Sequence, residues 1–283
     1  MGHMRCDSIG RGRLDYDLCS YGISRLSFRG PRRALTGRYA AFVGGTETFG
    51  KFVRTPFPAL LERGTEMTCV NFGCVNAGIG AFLQDTAVTA ACYDSALTVI
   101  EVLGAHNVSN RLYQVHPRRN DRFLQPTPRL REVFDDIDFA DFTFTRHMIA
   151  ALAARSQERF AIVRDEIQLA WLRRMETFIA ELPVPPVLLW LRPDAALAAA
   201  APAPGPDPLF VTDEMMAQIA PKVAQVVRVD VSAQMRALGR AAMVVGPAEA
   251  AAAEGLHGPG VHAAAAKALT PLVSALAGGA CAA

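Results

Sequence analysis

The sequence predicts an α/β protein of three layers, α/β/α, in which helices cover both faces of a mostly parallel sheet. Short apolar, β-branched runs recur along the chain, and the longer segments between them carry apolar residues at intervals of three and four. This alternation is typical of parallel strands joined by crossover helices. The predicted strands are Ala40–Val43, Thr68–Phe72, Leu97–Leu103, Pro186–Leu191 and Val226–Val231.

The pattern favours one domain over residues 1–283, although that length would also allow two smaller ones. Residues 1–38 form an N-terminal arm before the first strand. Residues 125–182 hold two consecutive helical patterns between the third and fourth strands, which indicates a helical insertion or lid. Residues 193–208 are rich in proline and alanine and are expected to form a mobile surface loop. An alanine-rich helix, interrupted by Pro271, is predicted over 261–277.

Composition excludes several functional classes. The formal net charge is only +2, which argues against a general nucleic-acid-binding domain. No run reaches the roughly 18 apolar residues of a membrane span. The cysteines show no Cys-x-x-Cys pair and no metal-ligand spacing, so we expect reduced thiols, a cytoplasmic location and neither a metal nor a cofactor. These cysteines are Cys6, Cys19, Cys69, Cys74, Cys92 and Cys281.

The first predicted strand ends in a glycine-flanked turn, Gly44-Gly-Thr-Glu-Thr-Phe-Gly50, with Thr46 at its tip. Loops at the carboxyl ends of parallel strands line the ligand crevice, so a hydroxyl placed there faces substrate. Gly45-x-x-x-x-Gly-Lys51 matches most of a P-loop, but Phe52 stands where a magnesium-binding Ser or Thr is required. A strand-to-helix turn whose glycines serve only packing is the alternative interpretation.

The turn resembles the Gly-Asp-Ser-Phe-Thr-Phe-Gly opening block of SGNH (GDSL-type) esterases and acyltransferases. In this resemblance Gly45 stands for the Asp, and Thr46 stands for the nucleophilic Ser. The likeness implies a flavodoxin/SGNH-like sheet and acyl-transfer chemistry. Threonine carries a methyl group that hinders attack, and Gly45 removes a carboxylate that usually organises the turn.

Later segments resemble the other blocks of the same superfamily in the same order. The second block, Asn71 to Gly78, implies that the amide of Gly73 or Gly78 binds the oxyanion. Gly104-Ala-His-Asn107 resembles Gly-x-Asn-Asp with one extra residue, which implies an oxyanion donor at Asn107.

Glu254-Gly-Leu-His257 resembles the final Asp-x-x-His block, which implies a general base at His257 oriented by Glu254. Because the helix that closes those folds begins one residue later in most members, His262 is the alternative base. For each histidine a solvent-exposed side chain without a partner is the competing interpretation.

Arginines concentrate just after the third strand, at Arg111, Arg118, Arg119 and Arg122. Guanidinium groups at the carboxyl edge of a sheet suit sulfate, phosphate or carboxylate, although a solvated basic loop is the ordinary meaning of such a cluster. The whole sequence also resembles an uncharacterised bacterial family that shares segments 28–33, 44–48 and 116–123.

These patterns together favour an esterase or acyltransferase with Thr46 as nucleophile, acting on an anionic small molecule, carbohydrate-linked esters included. Two alternatives stay open: a catalytically degenerate anion-binding protein, and a transferase that uses a sulfated or phosphorylated nucleotide. No nucleic-acid partner and no membrane span are expected. The sequence leaves the oligomeric state open.

Overall fold

The computed structural model describes residues 14–278, and its centre is a parallel sheet of five strands. The strands of the described chain are β1 (Leu18–Cys19), β2 (Phe28–Arg29), β3 (Tyr39–Gly44), β4 (Thr68–Gly73), β5 (Leu97–Glu101), β6 (Tyr113–Val115), β7 (Phe123–Pro126), β8 (Val187–Pro193) and β9 (Gln225–Val231). Strands β1 and β2 pair antiparallel, as do β6 and β7. The central strands match all five predicted runs.

The helices that follow these strands are short at the sheet's carboxyl edge and long on its faces. They are α1 (Thr46–Phe49), α2 (Phe57–Thr65), α3 (Ile79–Leu83), α4 (Thr86–Tyr93), α5 (Pro128–Val133), α6 (Thr145–Arg155), α7 (Gln157–Ala180), α8 (Ala195–Ala199), α9 (Asp213–Ile219), α10 (Ala233–Ala241), α11 (Ala250–Ala253) and α12 (Pro259–Gly278). Short 3-10 turns occupy 139–141, 220–222 and 247–249.

The order of the central strands is β4-β3-β5-β8-β9, and all neighbouring pairs are parallel. From β3 the chain first adds β4 on one side and then crosses to add β5 on the other. The carboxyl ends of β3 and β5 therefore flank the point where the winding direction reverses, which is where open α/β sheets bind ligands. The predicted three-layer α/β/α class is confirmed.

Each face of the sheet carries its own apolar core. On one face Phe72 and Ile100 pack in a cluster with Trp171 of α7, whose indole Nε1 donates to the carbonyl of Leu103 at 2.9 Å. On the other face Phe42 packs with Leu269 of α12. Strands buried on both sides need apolar residues at successive positions, and this explains why the predicted strands appear as continuous apolar runs.

The segment 125–182, predicted as a helical insertion or lid, contains α5, α6 and α7. One side of α7 is buried in the first core through Phe160, Val163 and Ile167. This helix therefore forms part of a layer of the domain, on the crossover between β5 and β8.

One helix, α12, is long and apolar enough by composition to cross a membrane. Its residues Val261, Ala265, Leu269 and Val273 are buried in the second core. That stripe recurs at helical spacing and faces the sheet, which is the ordinary pattern of a core helix in an α/β protein. The packing of α12 against the sheet accounts for its apolar composition.

Candidate functional site

A cavity of about 840 Å³ opens at the carboxyl edge of the sheet, beside the reversal point between β3 and β5. Its floor comes from the ends of β3 and β5, and one wall comes from the proline- and alanine-rich segment 193–208. Polar side chains from eight separate stretches of the chain converge on it. They are Thr46, Glu47, Asn76, Glu101, His106, Asn107, Asp121, Arg146, Asp207, Arg236, Arg240, Glu254 and His257.

Thr46 is the first residue of helix α1, and its hydroxyl is held by the loop that follows β4. The amide of Asn76 donates to Thr46 Oγ1 at 3.0 Å, and the Thr46 hydroxyl donates to Asn76 Oδ1 at 3.2 Å. Asn76 Nδ2 in turn donates to Asp121 at 3.2 Å. Asn76 adopts a φ of 58°, a left-handed conformation that asparagine tolerates better than most residues. The hydroxyl therefore has a defined position at the cavity surface.

Glu101 ends strand β5 directly beneath this turn. Its Oε2 accepts the amide of Gly45 at 3.0 Å, the amide of Thr48 at 2.9 Å and the hydroxyl of Thr48 at 2.5 Å. A Cβ at Gly44 would collide with this carboxylate, so only glycine leaves room for it. Burial raises the pKa of Glu101, and its hydrogen bonds with Thr48 and Gly45 oppose that shift.

Asn107 lies beside the cavity with its amide oriented by a neighbour. Its Oδ1 accepts the hydroxyl of Thr145 at 2.8 Å. Its Nδ2 makes no hydrogen bond within residues 14–278. Since the carbonyl side of the amide is occupied, the NH₂ group is left to donate to a ligand.

The two C-terminal histidines occupy different environments. His257 lines the cavity, and neither of its ring nitrogens has a hydrogen-bond partner in the described chain. His262 is only 2% exposed, and its Nδ1 accepts the amide of Phe57 at 3.2 Å. The carboxylate of Glu47 lies between them: it accepts the amide of His257 at 3.1 Å, and its Oε2 is 3.7 Å from His262 Nε2.

Burial sets the protonation states of these groups. It lowers the pKa of His257 to about 4 and that of His262 to about 3, with further lowering from Arg236 and from His257 respectively. The pKa of His106 is lowered to about 4 by the same desolvation. Burial raises the pKa of Glu47 well above its usual value, and Glu101 adds to that rise. The cavity therefore presents neutral imidazoles near neutral pH.

The other residues predicted for the acyl-transfer site are engaged elsewhere. The amide of Gly73 donates to Asn71 Oδ1 at 2.8 Å, and the amide of Gly78 donates to Asn120 Oδ1 at 2.8 Å. Glu254 is exposed at the cavity rim and faces Arg240 Nη2 at 3.4 Å. In the described chain it makes no side-chain hydrogen bond to either histidine.

None of the four arginines of the predicted anion site lines the cavity. Arg111 is paired with Glu166, with Nε at 2.8 Å from Oε2. Arg118 and Arg119 are exposed, and the guanidinium of Arg122 lies over the ring of Phe144 at 4.9 Å. Anion binding by this group stays a prediction.

The arginines that do reach the cavity are Arg146, Arg236 and Arg240, which sequence reasoning did not single out. Arg236 and Arg240 are one turn apart on α10, and this spacing was visible in the sequence only as an ordinary helix face. Glu101 had a clearer signal, because it is a carboxylate at the end of a buried apolar run. In a fully buried strand a charged residue needs a partner, and here the partner is the Thr46 turn.

The remaining candidate chemistries have less support. Within residues 14–278 no group of three or more His, Cys, Asp or Glu side chains is arranged to hold a metal ion. Burial raises the pKa of the Cys74 thiol to about 11, so that thiol is protonated near neutral pH. Cys6 and Cys281 lie outside the described residues, and the four described cysteines are free thiols.

Comparisons with known proteins identify the family. Neither the curated proteins nor the solved structures gave a match to this chain. A family model described as a domain of unknown function, DUF6473, matches residues 4–277. This match extends from the N-terminal arm through α12 and includes every side chain that lines the cavity. The chain therefore belongs to the DUF6473 family.

Proposed function

We propose that this protein is an esterase or acyltransferase in which Thr46 is the nucleophile and His257 is the general base. The observation that carries the proposal is the convergence of Thr46, Asn107 and His257 on one cavity at the reversal point of the sheet. A hydroxyl is a weak nucleophile until a base removes its proton, and the tetrahedral intermediate needs donors for its oxyanion. Thr46 would be the nucleophile, His257 the base that removes its proton, and Asn107 a donor to the oxyanion.

The proposed chemistry has two steps. Thr46 Oγ1 attacks the ester carbonyl carbon as His257 takes its proton, and the imidazolium returns that proton to the departing alcohol. A water molecule or an acceptor alcohol then attacks the acyl carbon of the threonyl ester as His257 takes its proton. The bond from that carbon to Thr46 Oγ1 breaks, Oγ1 takes the proton back from His257, and the acid or the new ester leaves. The oxyanion is bound by Asn107 Nδ2 and by the amides of Thr46 and Glu47, which have no acceptor within the described chain.

The neutral state of His257 suits this role. A general base must be unprotonated to act, and a pKa near 4 keeps the imidazole neutral from about that pH upward. We therefore expect kcat/KM to rise through about pH 4 and then to level off. An unperturbed histidine would place that rise near pH 6.5.

The proposed substrate is an ester that carries an anionic group, and a carbohydrate-linked ester fits the polar cavity. Arg236 and Arg240 would bind the anionic end at the cavity rim. We also propose that the protein acts in the cytoplasm, in keeping with its free thiols. A binding protein built on a degenerate SGNH-like scaffold is the alternative. Two observations favour it: the methyl group of Thr46 hinders attack, and in the described chain Glu254 makes no side-chain hydrogen bond to His257.

Nucleotide binding through the partial P-loop has little support from the backbone. The amides of Phe49, Gly50 and Lys51 donate to the carbonyls of Gly45 and Thr46. Those of Gly45 and Thr48 donate to Glu101. A P-loop needs its amides directed at phosphate, and most amides of this turn are already committed.

The proposal is tested with Thr46→Ala and Thr46→Ser variants on p-nitrophenyl acetate. Thr46→Ala is expected to abolish turnover above the uncatalysed rate, because no other hydroxyl occupies that position. Thr46→Ser is expected to retain turnover and to react faster with a fluorophosphonate, because the hindering methyl group is gone. Thr177→Ala, on the exposed face of α7, is the matched control.

Equal turnover in the wild type and Thr46→Ala would overturn the proposal. If the wild type shows no turnover but a carboxylate or sulfate ester raises its melting temperature, the binding-protein alternative replaces it.

A further inference from the structure

The helix that carries Thr46 begins without a cap of its own. Gly45 occupies the N-cap position of α1 and has no side chain to accept a hydrogen bond. An N-cap side chain ordinarily accepts the amide three residues later, which here belongs to Thr48. A helix of one turn is only marginally stable, so an uncapped α1 would hold Thr46 loosely.

Glu101 fills that position from the neighbouring strand. The same oxygen, Oε2, accepts the amide of the N-cap residue Gly45 and the amide of Thr48, at 3.0 and 2.9 Å. The Thr48 hydroxyl adds a third bond at 2.5 Å. These are the two backbone donors that a capping box satisfies with side chains from the helix itself.

The glycines of the turn fit this arrangement. A Cβ at Gly44 would collide with Glu101 Oε2 and with the Thr48 hydroxyl, and one at Gly45 would lie 2.9 Å from Leu103 Cδ2 and 3.7 Å from Glu101 Oε1. A carboxylate at position 45 would also repel Glu101 in a buried setting. The carboxylate that caps this turn therefore belongs to Glu101, at the end of β5.

We propose that Glu101 is a positioning residue that caps the Thr46 helix in trans and so holds the backbone that carries the Thr46 side chain. This inference rests on the proposed function for its kinetic consequence only. The capping itself is a structural claim and can be measured without any substrate.

The experiment is a double-mutant cycle of Glu101→Ala and Gly45→Asp, read first by amide hydrogen exchange. Glu101→Ala is expected to lower the protection of the Gly45 and Thr48 amides at least about tenfold, because both donors lose their acceptor. Gly45→Asp in the Glu101→Ala background is expected to restore protection at Thr48, since Asp is a preferred N-cap residue. The only tight contact of the new Cβ is the flexible end of Leu103.

Glu101→Gln separates capping from charge, and it decides the matter if Glu101→Ala fails to fold. Its side-chain carbonyl accepts the same amides, so we expect wild-type protection of Gly45 and Thr48. Variants that keep the Gly45 and Thr48 amides protected are expected to keep turnover of p-nitrophenyl acetate, and variants that lose this protection are expected to lose turnover. Turnover should be lost in Glu101→Ala and largely recovered in Glu101→Gln and in the double variant.

Unchanged protection of Gly45 and Thr48 in Glu101→Ala would overturn the inference. Loss of protection in Glu101→Gln would do the same. Lost turnover in Glu101→Gln with full protection would also overturn it, because the charge would then act directly. If no variant of the series turns over ester while protection behaves as stated, the proposed function fails and the capping role stands.

Discussion

At the level of single residues, the candidate site depends on side chains that their neighbours hold in place. Thr46 Oγ1 accepts the amide of Asn76 and donates to its Oδ1, and Asn107 accepts the hydroxyl of Thr145 through its carbonyl oxygen. Preorganisation of this kind is what makes a hydrogen-bond donor effective in a transition state, since no reorientation is needed when charge develops. Under the proposed function we expect the two contacts to affect rate more than binding.

Asn107→Ala is predicted to lower kcat for an activated ester by about a hundredfold or more, with little change in KM. The removed Nδ2 donor would act on the oxyanion, which develops in the transition state and is absent from the bound ester. Thr145→Val keeps the donor and removes the hydroxyl that orients it, so its loss should be smaller. Steady-state kinetics of the three proteins provides the test, and an unchanged kcat in Asn107→Ala would assign that residue to structure alone.

The sequence predicted Thr46, Asn107 and His257 from segments that resemble the SGNH blocks, with His262 as the alternative base, and the structure places the first three at one cavity. The sequence placed the oxyanion amides at Gly73 and Gly78, whose donors are engaged by Asn71 and Asn120. The pairing of Gly73 with Asn71 is local, whereas Gly78 and Asn120 are 42 residues apart, and no local pattern reveals a contact of that kind. The hydrogen-bond partners of the predicted donors were therefore less predictable than the strand ends near which those donors lie.

At the level of elements, the segment 193–208 and α10 line one end of the cavity. The segment follows β8 and α10 follows β9, so both lie on the side of the sheet away from Asn76. Arg236 donates to the carbonyl of Glu254 at 2.8 Å, and Arg240 is more than half exposed. The helix therefore presents two guanidinium groups at a solvated rim, where their contribution is modest and screened by salt.

Arg236→Ala combined with Arg240→Ala is predicted to raise KM for an ester bearing a carboxylate by about tenfold or less at low salt. KM for the neutral analogue should stay unchanged, because the arginines interact only with the anionic group. Arg118→Ala combined with Arg119→Ala is the matched control, since both side chains are exposed and neither lines the cavity. A larger effect in the control pair would return the anion site to the segment identified in the sequence.

For the whole molecule, the order of the strands in the sheet determines where the cavity lies. The chain reverses its winding direction after β4, so the crossover after β3 packs α2 on one face of the sheet and the crossover after β5 packs α7 on the other. The crevice in which Thr46 and Glu101 lie is at this reversal point. The strands were predictable because buried parallel strands require continuous apolar runs. The contact between Glu101 and the Thr46 turn was not predictable, because it depends on β5 lying next to β3 in the sheet.

Buried neutral histidines make the stability of the whole protein depend on pH. His106, His257 and His262 have folded pKa values of about 4, 4 and 3, below the value of 6.5 expected in the unfolded chain. As the pH falls below 6.5 the unfolded state binds protons that the folded state does not, so stability falls until the folded pKa is reached. Glu47 and Glu101 act in the opposite direction, because their raised pKa values stabilise the folded state at low pH.

A single substitution isolates the contribution of His262 to the pH dependence of stability. His262→Gln is predicted to reduce the slope of unfolding free energy against pH, between pH 6.5 and about 4, by up to about 1.4 kcal/mol per pH unit, one proton's worth. Glutamine retains a carbonyl oxygen for the amide of Phe57, which His262 now accepts. Urea unfolding at a series of pH values measures the slope, with Thr177→Ala as the surface control. A slope equal to that of the wild type would mean that His262 binds a proton as readily in the folded state as in the unfolded chain.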